Sequence, residues 1–212
     1  MNTPATRCLV VFARDPLPGR VKTRLIPAIG EGAATAIYRQ MLQDTLATAS
    51  QAAAERRELW IDTSHPGSTP VRLARGHGMS IHAQPGGDIG ARMHSAFNET
   101  LATVRSVVLI GTDCPEYDAA YIDAAFQALE AHDAVLGPAA DGGYVLIGLR
   151  RAEPAVFEGI PWGSGQVLAA TRRRFAQLQW RWCELPVLHD VDEVDDLLKF
   201  PHLSEIAEAS AQ

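Results

Sequence analysis

Cys8-Leu9-Val10-Val11-Phe12-Ala13 is an unbroken apolar run, and it stops abruptly at Arg14-Asp15-Pro16-Leu17-Pro18-Gly19-Arg20. A short run without polar alternation, closed by turn residues, predicts a strand buried on both faces rather than one with a wet side. Five more runs of this kind follow, at 57–62 (RELWID), 79–84 (MSIHAQ), 107–113 (VVLIGTD), 133–139 (DAVLGPA) and 143–149 (GYVLIGL). Between them lie segments with helical spacing. Ile89, Met93, Ala96, Phe97, Leu101 and Val104 follow Asp88 as a candidate N-cap, and Ile122, Ala125, Phe126 and Leu129 follow Asp118. Ile37, Tyr38, Met41 and Leu42 suggest another helix, and Val167, Leu168, Thr171, Phe175 and Leu178 a fourth. Alternation of strand and helix implies right-handed crossovers and a mostly parallel sheet covered on both faces. The runs at 133–139 and 143–149 are too close for a crossover and predict a hairpin, so the sheet is expected to be mixed.

The 212 residues suit one domain, 1–212, and no linker or repeat marks a boundary. Hydrophobic residues at 47% and charged ones at 21% exclude disordered and fibrous classes. A net charge of −6 argues against a surface that coats nucleic acid. Three scattered cysteines, Cys8, Cys114 and Cys183, form neither a disulfide framework nor a zinc spacing, which points to a reducing cytoplasm. The amino-terminal stretch is too short and too soon charged for a signal peptide, and no apolar run reaches membrane-spanning length.

In an open α/β sheet, ligands collect at the carboxyl ends of the strands, so the loops there carry the chemistry. The first of them bears Arg14, Arg20, Lys22 and Arg24 around Gly19, a cationic loop stiffened by two prolines that reads as an anion cradle or as a solvated basic loop. Lys22 is one of only two lysines among 19 basic residues. The loop is not a Walker A motif, which needs Gly-Lys-Ser/Thr after an earlier glycine, and it carries no G-x-G-x-x-G fingerprint. Asp113 ends the 107–113 run at the sheet edge. A carboxylate there is either a turn residue or a ligand for Mg²⁺ shared with substrate phosphates. Asp190 and Asp192 precede a run of acids, Glu193, Asp195 and Asp196, whose plain explanation is helix N-terminal placement, and the first two point to a second metal contact. Asp141 before two glycines, and Gln84-Pro85-Gly86-Gly87-Asp88, each fit a turn or a close approach to a ligand. Trp162 is a substrate platform or a cap on the core. The chain has no D-x-D-x-T, G-x-S-x-G or H-E-x-x-H element, and hydrolase classes drop away.

The blocks FARDPLPGRVKTRL, QPGGDIGARM, IGTDCP, GPAADGGYVLIGL, IPWGSGQVLAAT and DVDEVDDL, in that order, resemble a bacterial family of small nucleotide-diphospho-sugar transferase-like proteins, often assigned to glycosyl transfer in arsenosugar biosynthesis. The loop pattern is also similar to guanylyltransferases of molybdenum-cofactor and deazaflavin-precursor synthesis. The resemblance runs from Val10 to about Leu198 and implies a GT-A-like, Rossmann-related three-layer α/β sandwich. It implies that Arg14, Gly19, Arg20, Lys22 and Arg24 face nucleotide phosphates, that Gln84, Gly86, Gly87 and Asp88 lie near the base, and that Asp113 with Asp192, or else Asp190, holds Mg²⁺ or Mn²⁺. One departure is that Arg14-Asp15-Pro16 replaces the glycine-rich start of the usual nucleotidyltransferase loop. The expected function is glycosyl transfer from a nucleotide sugar to a small acceptor, with Asp141 as the available base; in the nucleotidyl-transfer alternative Lys22 and Arg20 offset the charge that develops on the phosphates. Nucleotidyl transfer from a triphosphate is the second expectation and a non-catalytic nucleotide-binding module the third. Neither nucleic acid nor a membrane is expected as partner, and the oligomeric state is open.

Overall fold

The computed structural model describes residues 6–62 and 68–210; the first residues of the amino-terminal stretch considered above lie outside them. Seven strands form one sheet: β1 (Arg7–Ala13), β2 (Arg56–Ile61), β3 (Ser80–Ala83), β4 (Ser106–Ile110), β5 (Ala134–Pro138), β6 (Tyr144–Leu149) and β7 (Trp182–Glu184). Their spatial order is β3-β2-β1-β4-β6-β5-β7, parallel throughout except for β6, which runs antiparallel to both neighbours. The expected hairpin is therefore present. Its strands pair Ala134 with Leu149 and Leu136 with Ile147.

Among the described residues six α-helices accompany the sheet: α1 (Ile26–Gln51), α2 (Thr69–Gly76), α3 (Ile89–Leu101), α4 (Ala119–Ala131), α5 (Val167–Gln177) and α6 (Pro201–Ser210). β1 is buried on both faces, as its unbroken apolar run requires. Leu9, Val11 and Ala13 pack with residues of α1, α2 and α4, while Cys8, Val10 and Phe12 pack with α3 and α5. A third cluster joins α1 to α6 through Ile37, Met41, Leu203 and Ala207. Asp88 and Asp118 cap α3 and α4, accepting from the backbone N–H of Ala91 and Tyr121 at 2.8 and 2.7 Å.

Three elements lie beyond the sequence reading. β7 is three residues of mixed polarity, α2 is a short helix behind Ser68, and α6 has only a sparse apolar stripe. The acids after Asp192 open a 3-10 helix, Val194–Lys199, in which Asp196 accepts from the N–H groups of Asp192 and Glu193. No helix among the described residues is long and apolar enough to cross a membrane.

The order places the carboxyl ends of β1 and β4 side by side at the point where the chain turns from β2 and β3 on one flank to β6 and β5 on the other. Loops leaving there diverge and open a cleft.

Candidate active site

The loop after β1 is pinned by its apolar members. Val21 and Leu25 are buried in the core, which turns Arg20, Thr23 and Arg24 outward. Lys22 breaks that alternation: its backbone has φ +47°, an uncommon conformation for a lysine, and its side chain points inward, only 4% exposed. There Nζ lies 2.5 Å from Asp113 Oδ1 and donates to the Val191 carbonyl at 2.6 Å. The Val191 N–H in turn donates to the Asp113 carbonyl at 2.9 Å. One ammonium thus ties the loop after β1, the loop after β4 and the segment before the 3-10 helix into a single knot. Next to it Arg24 pairs with Asp192.

Around this knot lies a cleft of two compartments. The first, about 460 Å³, is lined by the cations Arg14, Arg20, Lys22, Arg24 and Arg92 together with Asp113 and Asp192, and by Tyr38 and Gln84 at its back. The second, about 270 Å³, is walled mainly by apolar groups and carries Asp141. Phe12, Arg24, Ile89, Gly111 and Asp192 line both, so the two are continuous and Asp192 stands at the seam.

Several expected residues converge here: Arg14, Arg20, Lys22, Arg24, Gln84, Asp113 and Asp192 line the first compartment, and Asp141 lines the second. Others do not. Gly19, Gly86, Gly87 and Asp88 line neither compartment, and the Asp88 carboxylate is engaged as a helix cap. Gln84 spends both amide N–H groups on the carbonyls of Ala13 and Trp60, at 3.1 and 2.8 Å, so only its oxygen remains to face a ligand. Asp190 is half-buried and lines neither compartment; burial, then the nearby Asp141 carboxylate, push its carboxyl up to about 6.

The sequence reading missed Tyr38 and Arg92. Tyr38 looked like one more apolar member of its helix, yet its hydroxyl accepts from the Arg14 N–H at 2.7 Å and from Thr112 at 3.2 Å, and burial holds its phenol well above the usual range. Arg92 lies within the quoted QPGGDIGARM block. Its Nε donates to the Gly87 carbonyl at 3.0 Å, and it approaches Asp62 and the Gln84 oxygen.

Asp141 is set by a tight turn in which its Oδ1 accepts from the Gly143 N–H at 2.7 Å. Gly142 between them has φ +90°, and a Cβ placed there would lie 2.3 Å from the Gly165 carbonyl oxygen. Gly142→Ala is therefore expected to cost about 3 kcal/mol by strain and overlap, measured by denaturant unfolding; a variant as stable as the parent would mean that this close approach is absent in solution.

A metal ion is consistent with the donor set. Asp113 and Asp192 are half-exposed carboxylates on one cavity wall, and no group of three or more His, Cys, Asp or Glu ligands exists among the described residues. That matches Mg²⁺, which takes one or two carboxylates and completes its shell with phosphate and water, and not a metal caged by protein alone.

A solved structure from Desulfovibrio desulfuricans G20, provisionally named a nucleotide-diphospho-sugar transferase, superposes with a TM-score of 0.85 at 30% identity over 97% of this chain and 96% of its own. CMP:2-keto-3-deoxy-manno-octonic acid synthetase, solved with CTP, shares the fold at a TM-score of 0.60 and 11% identity over 96% of this chain and 99% of its own. Glucosyl-3-phosphoglycerate synthase from Mycobacterium tuberculosis, solved with Mn²⁺ and UDP, shares it at 0.55 and 11% over 97% of this chain and 78% of its own. No curated protein matches the chain. The family model described as "Uncharacterized protein conserved in bacteria (DUF2064)" matches residues 45–164, more than half of the chain, and the chain belongs to that family.

Proposed function

We propose that the chain is a metal-dependent glycosyltransferase that binds a nucleoside diphosphate sugar and passes its glycosyl group to the hydroxyl of a small acceptor. The observation that carries this reading is the position of Lys22. Its side chain is 4% exposed and its ammonium is engaged by Asp113 and the Val191 carbonyl, so it anchors one carboxylate of the cavity wall instead of reaching toward a third phosphate. Arg14 and Arg20 are left on the first loop to face phosphate oxygens, with Arg24 beside the seam. That complement suits a diphosphate.

In this reading the diphosphate lies against Arg14 and Arg20, whose fixed forks offset the charge that grows as it departs. Asp113 and Asp192 would hold Mg²⁺ or Mn²⁺, which supplies Lewis-acid neutralisation of the same leaving group. The acceptor oxygen forms a bond to the anomeric carbon while the bond from that carbon to the phosphate oxygen breaks, its electron pair leaving with the nucleoside diphosphate. The hydroxyl proton passes to Asp141, whose Oδ1 is fixed by Gly143 and whose second oxygen takes it. The name of the relative from Desulfovibrio desulfuricans supports the same chemistry.

One observation favours the second reading, nucleotidyl transfer: five cationic side chains in the first compartment are more than a diphosphate needs. Melting temperatures with nucleoside diphosphate sugars and nucleoside triphosphates, each with and without Mg²⁺, separate the two. A nucleotide sugar at a hundred times its Kd is expected to raise Tm by about 5 to 10 °C, chiefly with Mg²⁺. Stabilisation by a triphosphate and not by any nucleotide sugar would replace glycosyl with nucleotidyl transfer. No shift with any of them would remove both.

A further inference from the structure

The two compartments differ in charge more than in shape. Arg14, Arg20, Lys22, Arg24 and Arg92 outnumber two carboxylates in the first. Among the lining residues of the second, Arg24 is the sole cation; it is already paired with Asp192, and Asp141 adds another negative charge. An anionic group entering the second compartment would lose its water and meet a carboxylate without gaining a counter-charge. In the continuous cleft it would be drawn into the first compartment instead.

The walls of the second compartment are apolar and fixed. Phe12, Met93, Leu109 and Ile147 come from the packed face of the sheet and from α3, all of them buried. Trp162 forms the opposite side. Its indole is seated on the first turn of α3 so closely that a Cβ at Gly90 would lie 2.6 Å from its Nε1, and its ring meets Tyr144 edge-on, with centroids 6.4 Å apart and planes at 82°. Such a ring is half-buried, oriented before any ligand arrives, and presents a flat surface. A volume of about 270 Å³ lies near the lower limit of ligand sites and holds about one ring.

We infer that the second compartment selects an uncharged acceptor with a flat apolar face, stacked on Trp162 with its hydroxyl toward Asp141, and excludes phosphorylated or carboxylated acceptors. The inference rests on the glycosyl-transfer reading for the role of that hydroxyl. It assigns Trp162 to specificity and separates acceptor from donor by charge.

The test uses the full chain with Mg²⁺ and saturating inorganic pyrophosphate, which fills the cationic compartment and leaves the second to report. Saturation-transfer NMR is recorded with 4-hydroxybenzyl alcohol and with phenyl phosphate, two ligands of one ring that differ in charge. The neutral ring is expected to bind at least tenfold more tightly than phenyl phosphate. Its signal should fall at least tenfold in Trp162→Ala and in Gly90→Ala, which displaces the indole while keeping it, and should persist in Arg105→Ala, an exchange at an exposed residue that lines neither compartment. Circular dichroism of each variant checks folding. Phenyl phosphate binding as well as the neutral ring, with the same dependence on Trp162, would overturn the inference. So would a neutral ring that does not bind, or that binds equally to the Trp162 and Gly90 variants. Failure of the glycosyl reading shows elsewhere, in the melting temperatures with nucleotide sugars, and leaves the ring preference intact.

Discussion

Asp113→Asn is expected to lower kcat/KM for the proposed transfer by about a thousandfold, the equivalent of roughly 4 kcal/mol of transition-state stabilisation. Asn keeps the size and one acceptor oxygen of the side chain, so its effect isolates the charge. That charge does two things. It supplies the carboxylate that would hold the metal against the leaving diphosphate, and it accepts from Lys22 at 2.5 Å. Losing it weakens the metal site directly and leaves the Lys22 ammonium with two neutral acceptors, the amide oxygen and the Val191 carbonyl, in place of a carboxylate. Asp113 is half-exposed, so water replaces part of the lost pairing and the stability penalty stays small beside the kinetic one. The variant should therefore melt within a few degrees of the parent in the absence of nucleotide while losing the Mg²⁺-dependent part of nucleotide stabilisation. Full retention of that Mg²⁺ effect in Asp113→Asn would place the metal elsewhere.

The largest loss of stability from one exchange is expected away from the cleft, at Glu58. This carboxylate sits in the middle of β2 at 1% exposure. Its Oε1 accepts from Arg56 at 2.5 Å, and its Oε2 accepts from Trp60 Nε1 and from the Thr100 hydroxyl, both at 2.9 Å. Trp60 and Thr100 are each 2% exposed, so Glu58→Ala orphans two buried donors and opens a hole beside an indole. At about 1 to 3 kcal/mol for each orphan the total is about 4 kcal/mol, which corresponds to a fall in Tm of about 8 to 16 °C. Arg56 is partly exposed and recovers its solvation. Glu58→Gln retains an acceptor for the two donors and should lose less than half as much. A fall of under about 3 °C for Glu58→Ala by differential scanning calorimetry would mean that water enters and takes over the role of the carboxylate.

Glu58 also marks the limit of what could be read in the residues. RELWID was legible as a strand because Leu59, Trp60 and Ile61 dominate it, but the partners that let a carboxylate sit there come from α3 and from the strand itself. The same division holds at the cleft. The unbroken run at 8–13, the acid at the end of 107–113 and the close pair of runs around Asp141 were enough to place β1, β4 and the β5–β6 hairpin, since burial on two faces leaves a local signature. The inward turn of Lys22 leaves none. It needs a positive φ at a lysine and a carbonyl 169 positions later in the chain. The second compartment was equally hidden as a cavity, because its walls come from β1, α3, β4, β6 and the Trp162 loop, and Phe12, Met93, Leu109 and Ile147 each read singly as core.

The Lys22 knot joins residues 22, 113 and 191, which brings the latest of these segments onto loops formed after the first and fourth strands. Contacts of such long sequence separation carry a high loop-closure cost and tend to follow the more local ones in time. The β5–β6 hairpin and the capped helices can assemble from neighbours alone; the carboxylate pair cannot align until the segment around Val191 has docked. During refolding from denaturant, sheet formation should thus run ahead of nucleotide capture, and ligand-binding competence becomes a kinetic marker of the final folding step.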